Sequence, residues 1–195
     1  MSGRLLYLHG FTSGPQSHKA QALGARMTAR GVGAAFICPQ LAHTPAQAAA
    51  QIEALIDAHR PLALVGSSLG GYFATYFAEA HGLKAVLVNP AVVAHIQLAA
   101  YVGRHANLYT GEEFDFTPQH IDELRALETA QLSRLNDFWV LLESGDQTLD
   151  YRQAVAKYQG ARQTVLPGGD HSFTRWNDYL DAIIDFAGVA PPLPA

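Results

Sequence analysis

The chain is expected to fold as an α/β protein, a parallel sheet of about six strands with helices on both faces. Three observations predict this. Short apolar runs alternate with longer helical stretches along most of the 195 residues, the order that builds a parallel sheet. The runs are almost continuously apolar, as strands covered on both faces should be. Glycines stand where the helical stretches should end, at Gly31, Gly82 and Gly160.

Taken in order, the strand candidates are Leu5–Leu8, Ala34–Cys38, Leu62–Val65, Ala85–Val88, Phe138–Leu142 and Gln163–Leu166. The helix candidates between and after them are Gln16–Arg30, Pro45–Arg60, Leu69–His81, Tyr151–Gln159 and Thr174–Phe186. Pro45 suits the first turn of its helix, with Thr44 before it as N-cap. Ile52, Leu55, Ile56 and His59 mark one face of that helix. Residues 91–137 interrupt the alternation with a span too long for a plain crossover. Two helical stretches, Val92–Val102 and Gln119–Ala130, predict a small helical cap over the sheet's carboxyl edge. Residues 1–188 then form one domain, with 91–137 as its cap, and 189–195 a loosely held proline-rich tail.

Composition narrows the function classes. Hydrophobic residues make up 49% and charged residues 15%, which excludes a disordered chain. The net charge of −4 gives no basic footprint for nucleic acid. No apolar stretch reaches membrane-spanning length, and the start reads as a first strand, not a signal peptide. Cys38 is the single cysteine, so an intrachain disulfide and a Cys-based zinc site are both excluded. A cytoplasmic protein is expected.

The pentapeptide Gly66-Ser67-Ser68-Leu69-Gly70 carries the chemistry. It follows an apolar strand and opens a helix, which would raise the Ser68 hydroxyl on a sharp turn at the sheet's carboxyl edge. A serine nucleophile needs a base, and the base needs an orienting acid. His171 lies on the loop after the last strand, at the same edge, and is the expected base. Asp146 opens the loop after Phe138–Leu142 and is the expected acid; Asp150 reads as a helix cap and Asp170 as a helix N-terminal charge. The order Ser, Asp, His is that of α/β-hydrolases. Two backbone N–H groups should hold the oxyanion, those of Leu69 after the nucleophile and Phe11 in the loop after the first strand. His9 shares that loop, where backbone geometry matters more than an imidazole. No metal spacing and no phosphate loop appears, so no cofactor or metal is expected. Residues 91–137 hold seven acidic side chains and three basic ones, a balance of −4 that should not steer a polyanion inward.

With these residues in place the chain resembles the YqiA-like esterases, a branch of the α/β-hydrolases. The matching stretches are Leu6–Phe11, Val65–Tyr72, Val88-Asn89-Pro90-Ala91, Tyr109-Thr110-Gly111, Leu149–Ala154 and Gly168–His171. The resemblance implies a compact six-stranded hydrolase fold, with Ser68, Asp146 and His171 as nucleophile, acid and base. It implies turnover of a small-molecule ester or thioester. Gln147 stands where the family is expected to carry an acidic residue. A serine esterase is the leading reading; an acyl-CoA thioesterase and a non-catalytic binding protein are the alternatives. Substrate identity and oligomeric state do not follow from the sequence.

Overall fold

The computed structural model describes residues 3–190. Six strands form one sheet: β1 (Leu5–Leu8), β2 (Phe36–Ile37), β3 (Ala63–Ser67), β4 (Lys84–Val88), β7 (Phe138–Glu143) and β8 (Arg162–Leu166). Their order across the sheet is β2-β1-β3-β4-β7-β8, and every pairing is parallel. The chain steps outward from β1 to β2, then returns to the other side of β1 with β3. Loops leaving β1 and β3 therefore part at the switch point where sites form in such sheets.

Each of the four inner strands serves two cores, because successive side chains point to opposite faces. Leu6, Leu8, Leu64, Leu87, Phe138, Val140 and Leu142 face one layer, built from α2 (Pro45–His59), α3 (Leu69–His81), α5 (Pro118–Ala126) and α6 (Tyr151–Lys157). Leu5, Tyr7, Val65, Val86, Val88, Trp139 and Leu141 face the other, built from α1 (His18–Ala29) and α7 (Leu180–Ala187). Every side chain from Phe138 to Glu143 is buried, which explains the unbroken apolar run there. Val189 is buried in the second core, so the ordered domain extends past residue 188. Residues 191–195, the rest of the predicted tail, lie outside the described residues.

The sequence places most elements within a few residues, with three corrections. The second strand is only Phe36–Ile37, because Gly33–Ala35 form a 3₁₀ turn. The last helix begins at Leu180, after a 3₁₀ turn over Trp176–Tyr179. Thr44 precedes Pro45 as expected, but its side chain makes no capping hydrogen bond.

The larger correction concerns residues 91–137, which are not an all-helical cap. The predicted helix Val92–Val102 shrinks to α4 (Ala94–Gln97) and a 3₁₀ turn, Ala99–Tyr101. An antiparallel hairpin follows, β5 (Gly103–Ala106) paired with β6 (Glu113–Phe116), and only then α5. The signal for β6 was present: Glu113-Phe114-Asp115-Phe116 alternates polar and apolar residues at the strand period of two. Phe116 is buried, and Phe11 meets both hairpin phenylalanines edge-on, at 5.7 Å and 5.1 Å between centroids.

Candidate active site

The β3–α3 connection holds Ser68 at φ 56° and ψ −120°, outside the regions that L residues favour. Two glycines permit this turn. A Cβ on Gly66 would stand 2.2 Å from the Gly70 carbonyl oxygen. A Cβ on Gly70 would stand 2.0 Å from the carbonyl oxygen of Leu8, so α3 backs directly onto β1. The turn is tied down on both sides. Ser68 N–H donates to the Val88 carbonyl at 3.1 Å, and the Ser68 carbonyl accepts from the amides of Gly71 and Ala91 at 2.9 and 3.0 Å.

Ser68 Oγ lies 3.0 Å from His171 Nε2, and His171 Nδ1 lies 2.7 Å from Asp146 Oδ2. The other Asp146 oxygen, Oδ1, accepts from the backbone N–H groups of Thr148 and Leu149 at 2.8 and 2.9 Å. The Asp146 carboxylate is 98% buried, since its side chain is only 2% exposed. Hydroxyl, imidazole and carboxylate in series form a path along which a proton can leave an oxygen.

The rival groups take other roles. Asp150 accepts from the Arg152 N–H at 3.0 Å as the N-cap of α6. Asp170 accepts from the Ser172 N–H at 2.7 Å, closing a turn beside His171. His9 is buried. Its Nε2 accepts from the Leu41 N–H at 2.9 Å and its Nδ1 lies 2.9 Å from the Gly10 carbonyl, which accepts the proton. Burial lowers its pKa, and this pairing suits the neutral ring. His43 stacks on Phe114 and meets Glu112; His120 completes the capping box of α5.

The loop after β1 closes over Ser68. A Cβ on Gly10 would lie 3.8 Å from Ser68 Oγ. Among the described residues, the Phe11 and Leu69 N–H groups have no protein acceptor. The hairpin pins this loop from outside. Leu108 N–H donates to the Thr12 carbonyl at 2.8 Å, and Asn107 Nδ2 donates to the Ser13 carbonyl at 2.7 Å. Asn107 Oδ1 in turn accepts from the amides of Tyr109 and Thr110, so one buried side chain shapes the hairpin tip and anchors it.

Two residues that sequence reasoning missed hold the His171 loop. Glu143, the last residue of β7, has no exposed surface. Its carboxylate accepts from the amides of Asp170 and Thr174 at 2.9 Å each, from Thr174 Oγ1 at 2.9 Å, and from Arg175 Nε at 3.0 Å. Burial pushes its pKa up, but these donors prevail and hold it at about 2. Asn89 joins the same loop to the sheet. Its Nδ2 donates to the Asp170 carbonyl at 3.0 Å and the His171 carbonyl at 3.2 Å, while its Oδ1 accepts from the Glu143 N–H at 3.0 Å. The available signal was a carboxylate ending a wholly apolar strand, a group that requires partners once buried.

Two cavities meet at Ser68 and His171. One, about 260 Å³, is bounded by Tyr7, Ser13, Ser17, His18, Lys19 and Tyr109. The other, about 190 Å³, has Ala91, Leu98, Tyr101 and Leu149 on its walls. Phe11 stands between them and lines both. Among the described residues, no group of three His, Cys, Asp or Glu side chains is placed to hold a metal ion. No described helix is long and apolar enough to cross a membrane.

Residues 4–188 match the model of the uncharacterised protein family UPF0227, the YqiA-like family. The chain belongs to this family. Its fold is also that of solved α/β-hydrolases. A protein from Agrobacterium vitis S4 superposes with a TM-score of 0.73 at 18% identity, over 95% of this chain and 88% of that one. Est1E from Butyrivibrio proteoclasticus gives 0.71 at 14% identity, over 95% and 86%. Mouse alpha/beta hydrolase domain-containing protein 10 gives 0.69 at 17%, over 95% and 92%. At these identities the likeness is one of fold, so the UPF0227 site must be read from its own residues.

Proposed function

We propose that this UPF0227 member is a serine esterase acting on small carboxylic esters, with Ser68 as nucleophile, His171 as base and Asp146 as orienting acid. The observation that carries the reading is the unbroken hydrogen-bond chain from Ser68 Oγ through His171 to a buried Asp146. It is supported by esterases among the fold's neighbours, Est1E and the esterase domain of a Rhodothermus marinus protein.

In this mechanism His171 Nε2 takes the Ser68 proton as Oγ bonds to the ester carbonyl carbon. The carbonyl electron pair moves onto oxygen, and the Phe11 and Leu69 N–H groups stabilise that oxyanion. As the tetrahedral intermediate collapses, the C–O bond to the alcohol breaks and His171 protonates the departing oxygen. Water, deprotonated by His171, then attacks the acyl-enzyme and releases the acid and Ser68. Asp146 accepts the hydrogen bond from His171 Nδ1–H throughout, orienting the ring and favouring the imidazolium. The hairpin acts as a cap that fixes the oxyanion loop and bounds the substrate cavities.

The test is fluorophosphonate labelling with peptide mapping, alongside p-nitrophenyl butyrate turnover. The expected label is on Ser68, and Ser68→Ala abolishes both label and turnover. A label that persists in Ser68→Ala overturns the assignment.

A further inference from the structure

The cavity of about 260 Å³ beside Ser68 differs from its neighbour in its donors. Helix α1 begins on its wall, with Ser17 as N-cap and His18 and Lys19 as the first helical residues. An N-cap serine ordinarily accepts from an amide of the first turn. Here it makes no such bond, and among the described residues the N–H groups of His18, Lys19 and Ala20 have no acceptor. Ser17 is 91% buried, from a relative exposure of 9%, and beyond the adjacent Tyr7 hydroxyl its Oγ has no hydrogen-bond partner among the described residues. Lys19 Nζ uses one donor on the Ser172 carbonyl at 2.8 Å, leaving two of its three free. Burial draws the Lys19 pKa down, while Asp170, Asp146 and Glu143 act against that shift. Of the three carboxylates acting on Lys19, Asp170 is the strongest and spends Oδ1 on the Ser172 N–H. Asp146 is taken up by His171 and two amides, and Glu143 by the His171 loop.

We infer that this cavity is a subsite for an anionic group, a carboxylate or a phosphate, carried on the alcohol side of the ester. Lys19 supplies the charge, the first-turn amides of α1 supply aligned donors, and Ser17 supplies a buried hydroxyl. A helix N-terminus favours an anion by its dipole as well as its N–H groups. The alcohol side is assigned because the opposite cavity, walled by Ala91, Leu98, Tyr101 and Leu149, suits an acyl chain. The inference rests on the esterase reading and adds a substrate class to it: esters of hydroxy acids or of phosphorylated alcohols.

The experiment compares O-butyryl glycolate with its uncharged amide, and butyryloxyethyl phosphate with its neutral dimethyl ester. Monoethyl succinate serves as the acyl-side control and p-nitrophenyl acetate as the neutral reference. The wild type is expected to prefer the alcohol-side anions in kcat/KM, through a lower KM, and less so at high salt. Lys19→Met should reduce the charged-to-neutral ratio about tenfold or more, the worth of one charge-assisted hydrogen bond, and Lys19→Arg should retain most of it. The glycolate and phosphate arms separate the two anions. No preference in the wild type, a preference only for monoethyl succinate, or a ratio unchanged in Lys19→Met overturns the subsite. Failure to hydrolyse p-nitrophenyl acetate or any other ester overturns the esterase reading itself, a different result from neutral esters being turned over without preference.

Discussion

The sheet edge and the excursion over it are built on opposite plans. At the edge, Ser68, Asp146 and His171 leave the ends of strands and are held by backbone hydrogen bonds and by the buried polar groups Asn89 and Glu143. Over it, residues 91–137 expose Ile96, Tyr101, Val102, Leu108 and Tyr109. They grip the edge through the Phe11 aromatic cluster and the Asn107 hydrogen bonds. Under the proposed function the difference teaches that position and selection are separate tasks: the edge fixes the reacting atoms, and the excursion shapes the space above them.

Four substitutions would break or sharpen this contrast, beginning at the edge. Ser68→Ala should lower ester turnover by a factor on the order of 10⁶ and leave the melting temperature unchanged, since a small turn residue is exchanged for another. Asp146→Asn should lower kcat by about 10⁴, with KM little changed; steady-state kinetics decide it. An equal loss from a change in the excursion would erase the contrast.

Glu143→Gln probes positioning. It should lower kcat by about tenfold or more through a loosened His171 loop, while fluorophosphonate still labels Ser68. It also carries a pH signature. Glu143 has a pKa near 2 in the folded chain against about 4.3 unfolded. Its contribution is therefore complete above about pH 4.3 and is lost as pH falls through about 2. At roughly 1.4 kcal/mol per unit this amounts to about 3 kcal/mol. Denaturant melts from pH 5 to pH 2 should show a steeper fall for the wild type than for Glu143→Gln. Parallel curves would remove Glu143 from that role.

The smallest effect is expected in the excursion. Asn107→Ala should raise KM several-fold and leave kcat within about a factor of three, because the hairpin tip loosens while Ser68, His171 and Asp146 stay put. Hydrogen exchange should rise over 103–116 alone. A collapse in kcat would mean that the Asn107 hydrogen bond, and not the Leu108 N–H bond to Thr12 and the Phe11 cluster, holds the oxyanion loop in its working shape.

The edge was legible in the sequence because its signals are local. An apolar strand, a glycine-flanked serine and a helix sit within one short stretch; Asp146 follows a strand of the same kind, and His171 a more polar edge strand. Glu143 and Asn89 were not legible. Their partners lie in segments far along the chain, 27 residues away for Asp170 from Glu143 and 81 for Asp170 from Asn89. The hairpin was hidden for another reason. Gly103-Arg104-His105-Ala106 has no apolar alternation, and β5 is defined by its pairing with β6, not by its own residues.

The contact between Gly70 and the Leu8 carbonyl has a consequence for how such a protein can change. Two main-chain segments meet there with no side chain between them, so the serine turn and the neighbouring loop form one part, cast in backbone. Altering the walls made by Leu98, Tyr101 or Lys19 leaves that casting untouched. For the proposed esterase, new substrate ranges are thus reachable by exchanging cavity-wall residues one at a time, whereas a single methyl group at Gly70 would force the two segments apart.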